Sequence, residues 1–193
     1  MRIEKTKIED VLILEPEVYH DERGYFYEVF NDKAFNEATE NKYDFHTLQS
    51  NESWSHQHVF RGLHFQSGDY AQAKIVRCTA GVVLDFAVDL RKDSPTYGKF
   101  EYCVLSPKNH KLFFIPRGFA HGFIALKDGS VFNYFCDNYY DKKSEGGVLW
   151  SSKGITSSES DNVTLKDLLT GAELTISDKD QIFPDLDNFT SPF

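Results

Sequence analysis

Two short runs concentrate the side chains able to move protons. Arg61-Gly62-Leu63-His64-Phe65-Gln66 offers one imidazole close to a glycine, and Ile115-Pro116-Arg117-Gly118-Phe119-Ala120-His121-Gly122-Phe123 offers a second. Read as a strand, the first run alternates so that His64 and Gln66 share a face, and Gly62 fits a place where a ligand nears the backbone. Imidazole changes charge near neutral pH, which suits it to lifting a weakly acidic proton from a carbon beside a carbonyl. In Val131-Phe132-Asn133-Tyr134-Phe135-Cys136-Asp137-Asn138-Tyr139-Tyr140, a regular strand would put Tyr134, Cys136, Asn138 and Tyr140 on one face. A tyrosine there can act as an acid once nearby positive charge lowers its pKa, or stack its ring on a planar base. Lys74 is a compact cation suited to an oxyanion, while Arg23, Arg61, Arg77 and Lys179 suit anionic groups such as phosphate. Each also has a plainer reading. A lone strand histidine is usually a core or surface residue, the tyrosines can be barrel packing, and a basic side chain can simply pair with Glu28, Asp85 or Asp180, as is expected of Arg77.

Metal chemistry has one competing motif. His56-Gln57-His58 is a true His-x-His, and two imidazoles on one strand face can hold zinc or iron. No glutamate follows at the needed spacing, because Arg61 and Gly62 occupy those places, and the surrounding Ser-Trp-Ser-His-Gln-His reads as a solvated loop. No metal is expected. Cys78, Cys103 and Cys136 are an odd number of isolated thiols, which points to buried, reduced side chains.

Strands must position these residues. The 193-residue chain, 40% hydrophobic, carries 17 Phe and 10 Tyr against one Met, and flat rings pack well on a pleated surface. Its length fits one domain spanning residues 1–193. Apolar and aromatic runs recur between turn signals, the pattern of an all-β barrel or sandwich. Strands are predicted at 11–14, 25–30, 45–51, 74–79, 82–89, 100–105, 111–115, 122–126 and 131–140, with hairpin turns at Ala80-Gly81 and Asp128-Gly129. Short helices are expected over 32–40 and 165–169, an exposed Ser-rich loop over 151–162, and a short edge strand near 174 followed by a polar turn. No stretch approaches the ~20 apolar residues of a membrane span and the N-terminus lacks a signal peptide's apolar core, so a soluble cytoplasmic protein is expected. A net charge of −9 argues against non-specific nucleic-acid binding but leaves room for a local basic pocket that takes an anionic small ligand.

Pro116, Gly118 and His121 match the Pro-x-Gly-x-x-His signature of the double-stranded β-helix (cupin, jelly-roll barrel), while the first histidine run lacks the His-x-His and glutamate of its metal-binding members. The whole chain further resembles the dTDP-4-dehydrorhamnose 3,5-epimerases, metal-free cupin enzymes of nucleotide-sugar metabolism. The matching segments are 21–28 (DERGYFYE), 49–53 (QSNES), 61–66 (RGLHFQ), 72–77 (QAKIVR), 88–91 (VDLR), 94–99 (SPTYGK), 115–123 (IPRGFAHGF), the Tyr134–Tyr140 strand with Glu145, and 174–180.

The resemblance implies an all-β jelly-roll barrel with a few short peripheral helices, no cofactor, and a nucleotide-sugar substrate, dTDP-4-keto-6-deoxy-D-glucose. His64 would be the base, polarised by Asp180, and Tyr134 the acid on the opposite sugar face. Lys74 and His121 would surround the reacting ring. Arg23, Glu28, Gln49, Asn51, Arg61, Glu145 and Lys179 would contact the nucleotide sugar, and Tyr140 would stack on the base. Arg23 and Glu28 would reach a partner's site, which implies a homodimer with shared active sites. The chemistry agrees: carbons 3 and 5 both flank the 4-keto group, so a base, an opposed acid and a cation near the carbonyl oxygen suffice. One segment departs from the family pattern. After Trp150 the chain reads Ser151-Ser152-Lys153-Gly154-Ile155, which bears on the wall beside the substrate, on whether one or both carbons invert, and on the nucleotide base. A metal-dependent oxygenase or isomerase and a non-catalytic sugar-binding cupin are the alternatives from other classes.

Overall fold

The computed structural model describes residues 1–160 and 162–193. The elements in chain order are β1 (Arg2–Lys5), β2 (Leu12–Glu15), β3 (Tyr19–Asp21), β4 (Gly24–Phe26), α1 (Asp32–Ala38), β5 (Gln49–Ser55), β6 (Val59–Gln66), β7 (Lys74–Ala80), β8 (Val83–Asp89), β9 (Lys99–Leu105), β10 (Leu112–Ile115), β11 (Phe119–Ala125), β12 (Ser130–Cys136), β13 (Glu145–Gly147), β14 (Thr156–Ser157), α2 (Leu165–Leu168), β15 (Thr175–Ile176) and α3 (Asp178–Gln181). One sheet runs β1-β2-β10-β7-β12-β5, and the other β13-β6-β11-β8-β9-β14 with β15 added in parallel to β6. The architecture is the expected all-β jelly roll with short peripheral helices.

The aromatic richness is spent on three apolar layers. Val76, Phe113, Phe119, Phe123 and Phe132 fill the space between the sheets. Phe30, Phe35, Phe45 and Phe114 seal the outer face of the first sheet beneath α1. Leu186, Phe189 and Phe193, near the C-terminus, close the outer face of the second against Phe65, Phe86 and Phe100. Strands covered on both faces need no polar alternation, which is why all seven residues of β11 are buried.

Turn chemistry was read correctly and pairing was not. Gly81 and Gly129 do adopt φ of +72° and +69°. Yet β7 and β8, and likewise β11 and β12, lie in opposite sheets, so these turns are corners and not hairpins. Ser130 ties both corners together, its Oγ accepting from the Val82 amide at 3.2 Å and donating to the Lys127 carbonyl at 2.7 Å. A Cβ on Gly81 would stand 2.7 Å from Ser130 Cα.

Four strand boundaries also move, among them the 122–126 strand, which begins at Phe119. Only Tyr25 and Phe26 of the 25–30 prediction are strand, as the end of β4, which pairs with β3 in a separate exposed hairpin. The 45–51 strand starts later, because Phe45 is held by Asn36, whose side chain both accepts from its amide and donates to its carbonyl. The 131–140 strand ends at Cys136, because Asp137 turns inward to accept from the Ala73 amide at 2.7 Å and from Arg117 at 2.9 Å. Asn138 and Tyr140 therefore do not continue the face of Tyr134. The Ser-rich segment is not an exposed loop: Ser152, Ile155 and Ser157 are buried, β14 pairs with β9, and Ser152 Oγ donates to Asp185 at 2.8 Å. Asp161 lies outside the described residues.

Candidate active site

A cleft of about 520 Å³ opens between the two sheets. From the second sheet come Arg61 and His64 on β6 and His121 on β11, with Asp180 from α3; from the first come Lys74 on β7, Tyr134 on β12 and Ser53 on β5. His64 and His121 are direct register partners on neighbouring antiparallel strands, so one cross-strand pair delivers both imidazoles. Gly62 and Gly122 let those strands close together. A Cβ on Gly62 would lie 2.6 Å from Gly122 Cα, and its φ of +132° is itself one that a side chain disfavours.

His64 and Asp180 form a dyad, with Nε2 2.7 Å from Oδ1. The other carboxylate oxygen accepts from the Gly62 amide at 3.1 Å, so the glycine also anchors the acid. Burial alone would raise the Asp180 pKa, but the hydrogen bonds from His64 and Gly62 hold it below the usual carboxylate range. An ionised Asp180 requires Nε2 of His64 to carry the proton, which leaves the Nδ1 lone pair as the basic atom. The ring also sits edge-on to Phe183, 5.6 Å away.

Tyr134 was expected to be made acidic by nearby cations. The structure reverses that: burial pushes its pKa up, outweighing Arg61, so it keeps its phenolic proton to give. Lys74 is displaced in the other direction, its pKa lowered by burial against the attraction of Cys136, Asp85 and Glu145. Its ammonium has no hydrogen bond or ion pair with any described residue.

His64, Lys74 and Tyr134 also border a smaller recess of about 100 Å³ lined by Gln49, Asn51, Gln66, Gln72, Tyr140 and Glu145. Lys179 pairs with Glu145 at 2.6 Å, Tyr140 donates its hydroxyl to Glu145 at 3.0 Å, and the Tyr140 amide donates to Gln49 at 3.0 Å.

A family model described as dTDP-4-dehydrorhamnose 3,5-epimerase matches residues 5–188. The chain belongs to the dTDP-4-dehydrorhamnose 3,5-epimerase family. Within it, the Shigella flexneri dTDP-4-dehydrorhamnose 3,5-epimerase is 52% identical over 155 residues, covering 80% of this chain and 84% of that protein. The crystal structure of the Elizabethkingia anophelis family member is 44% identical, with a TM-score of 0.85 over 97% of each chain. A Legionella pneumophila dTDP-6-deoxy-D-glucose-3,5-epimerase, solved with dTDP-4-keto-L-rhamnose, is 36% identical, with a TM-score of 0.85 over 98% of this chain and 94% of that one. Membership makes the protein an isomerase of the epimerase class.

Most residues that the resemblance to the 3,5-epimerases singled out meet in these two recesses: His64, Asp180, Tyr134, Lys74, His121, Arg61, Lys179, Gln49, Asn51, Tyr140 and Glu145. Arg23 and Glu28 do not. Arg23 pairs with Asp21 and Glu28 accepts from Asn31. Arg77 keeps to a structural role, but its partner is the Tyr27 hydroxyl at 2.9 Å and not a carboxylate. His56 binds Asp128 at 2.9 Å beside the β5–β6 turn, and no three His, Cys, Asp or Glu among the described residues are grouped to hold a metal. The divergent 151–160 segment lines neither recess. Sequence reasoning missed the site role of two residues. Asp85, placed only as a salt-bridge partner, binds His121 Nε2; a carboxylate inside the apolar run Val82–Leu90 was the available signal. Ser53 lines the cleft with a buried hydroxyl that has no partner among the described residues, and nothing distinguishes it from the neighbouring serines in sequence.

Proposed function

We propose that the cleft performs the 3,5-epimerisation for which the family is named, on dTDP-4-keto-6-deoxy-D-glucose, with His64 as base, Tyr134 as acid and Lys74 as the oxyanion cation. His64 Nδ1 removes the proton from carbon 5 or carbon 3. The C–H electron pair moves into the ring and the 4-keto π bond moves to oxygen, giving an enolate. Lys74 stabilises that charge without accepting a proton. Tyr134 then delivers its proton from the opposite face and recovers one from water, while His64 releases the proton it took to solvent, which resets both groups for the second carbon. The product is dTDP-4-keto-L-rhamnose. The observation that carries this reading is that His64 and Tyr134 stand on opposed sheets and border the same two recesses, since inversion needs a base and an acid on opposite faces of one ring.

The nucleotide would lie along the mouth of the smaller recess, with Tyr140 stacking on the base and Gln49, Asn51, Glu145 and Lys179 beside it. Arg23 and Glu28 complete the site of a second copy in a homodimer. Support comes from the exposed β3–β4 hairpin, where Tyr19, Tyr25 and Phe26 are 57%, 57% and 72% accessible, an apolar display that a partner surface would cover.

Proton NMR in deuterated water tests the assignment. Chelator-treated enzyme should exchange the substrate hydrogens at carbons 3 and 5 for deuterium, and His64→Ala should abolish both exchanges. Full exchange in that variant would overturn the assignment of the base, and exchange at one carbon alone would limit the enzyme to a single centre.

A further inference from the structure

The two imidazoles of the cleft are bound alike and supported differently. Both use Nε2 toward a carboxylate, His64 toward Asp180 and His121 toward Asp85. Nδ1 of His121 has no partner among the described residues and is not one of their buried unpaired atoms, so it opens onto the cleft that the residue lines. We propose that Asp85 is a protonated positioning residue that donates to Nε2 of His121, so that neutral His121 presents an Nδ1–H donor to the cleft, the opposite polarity to His64.

Hydrogen-bond counting carries the inference. An ionised carboxylate offers about four acceptor sites. Asp180 has two separate donors, one on each oxygen. Asp85 sits in mid-strand on β8, fully buried between Leu84 and Phe86, and its sole hydrogen-bond partner among the described residues is His121 Nε2, 3.1 and 2.9 Å from its two oxygens. One shared N–H leaves a buried carboxylate anion poorly satisfied. A neutral acid needs only somewhere to place its O–H, and the Nε2 lone pair supplies that. With Nε2 accepting, a neutral ring must hold its proton on Nδ1. Burial pushes Asp85 well above and His121 well below their ordinary values. The Lys74 ammonium pulls Asp85 the other way and is outweighed by burial, while Lys74 and His64 both disfavour an imidazolium at His121.

The polarity matters for the chemistry. A lone pair facing the cleft would repel a developing oxyanion, whereas an N–H would join Lys74 in stabilising it. This last step rests on the epimerase reading above; the tautomer does not.

The test is nitrogen NMR of the free enzyme labelled with ¹⁵N-histidine at neutral pH, with His121→Asn used to assign the signal. The expected spectrum has a bare Nε2 and protonated Nδ1 at His121, and the reverse at His64. An Nε2–H or doubly protonated ring at His121 overturns the proposal, even in a fully active epimerase. In Asp85→Asn the side-chain amide can replace the acid as donor, so the Nδ1–H signature should persist and kcat should stay within about tenfold of wild type. Asp85→Leu, which offers no donor, should lose roughly 10²-fold in kcat with KM little changed, the scale of one lost oxyanion donor. Failure of substrate exchange with the Nδ1–H signature intact would count against the epimerase reading alone.

Discussion

Replacing Lys74 with methionine should make the protein more stable and nearly inactive. The Lys74 ammonium lies in the cleft between the sheets, without a hydrogen bond or ion pair from any described residue, and burial lowers its pKa from 10.5. A fully buried unpaired polar group costs about 1–3 kcal/mol, and Lys74 is only half-buried with its Nζ open to the cleft, so about 1 kcal/mol is the upper end here. Methionine keeps a long flexible stem and removes the charge. For a chain of this size about 1 kcal/mol moves Tm by about 2–4 °C, so Lys74→Met should melt up to about 4 °C higher. Loss of the oxyanion cation should lower kcat about 10²–10³-fold. The pH dependence has a definite sign. Unfolded lysine holds its proton to higher pH than the folded residue, so wild type gains stability as pH climbs from the folded pKa toward 10.5. The variant lacks that gain, and its Tm advantage should be largest near neutrality and close toward pH 10.5. Scanning calorimetry across pH with parallel turnover assays reads both effects. A lower Tm in Lys74→Met, or a gap that widens with pH, would refute the reasoning.

Tyr134→Phe should still exchange substrate protons with deuterium through His64 but lose about 10²–10⁴-fold in formation of the inverted sugar, measured by NMR in deuterated water. Equal loss of exchange and inversion would remove Tyr134 from the role of acid. Asp89, fully buried at the end of β8, accepts from Arg91 through Nε at 2.9 Å and Nη2 at 2.8 Å, and from Ser94 and Thr96 at 2.6 Å each. Asp89→Ala should cost about 1–3 kcal/mol in urea unfolding, because it removes the shared acceptor of Ser94 and Thr96 and leaves Arg91 with Asp10, at 2.6 Å, as its remaining carboxylate. Burial would raise the Asp89 pKa, but the bonds from Arg91, Ser94 and Thr96 hold it below 3.8. Its stabilisation is therefore present above the unfolded pKa and lost as pH falls through the folded value, so the variant should show a shallower acid-side decline than wild type.

How much of this was legible depends on whether a residue acts through local pattern or through tertiary placement. The jelly roll could be read because aromatic runs and turn residues recur locally, and the Arg61–Gln66 and Ile115–Phe123 runs mark the two strands that carry the imidazoles. The sheet each strand joins could not be read, since Ala80-Gly81 and Asp128-Gly129 specify a backbone angle and not a partner. The end of β12 depended on Asp137 reaching Ala73 across 64 residues of chain. The sign of the Tyr134 shift depended on burial, which a count of nearby cations misses. The packing of Ser152 followed from Asp185, far along the chain. Asp85 shows the limit most directly, because its meaning lies in how few donors surround it.

Asp180 reaches His64 from α3, a segment made after every strand of both large sheets. Synthesis runs from the N-terminus, so the barrel strands leave the ribosome while His64 still lacks its carboxylate. The same segment carries Phe183 against the His64 ring and is followed by Leu186 and Phe189, which seal the outer face of the second sheet. A chain cut short before α3 would lose the proton relay and the apolar seal together. Turnover thus certifies that translation has run past α3, and a prematurely terminated copy would meet the cell's proteases exposed and idle before it could consume any sugar nucleotide.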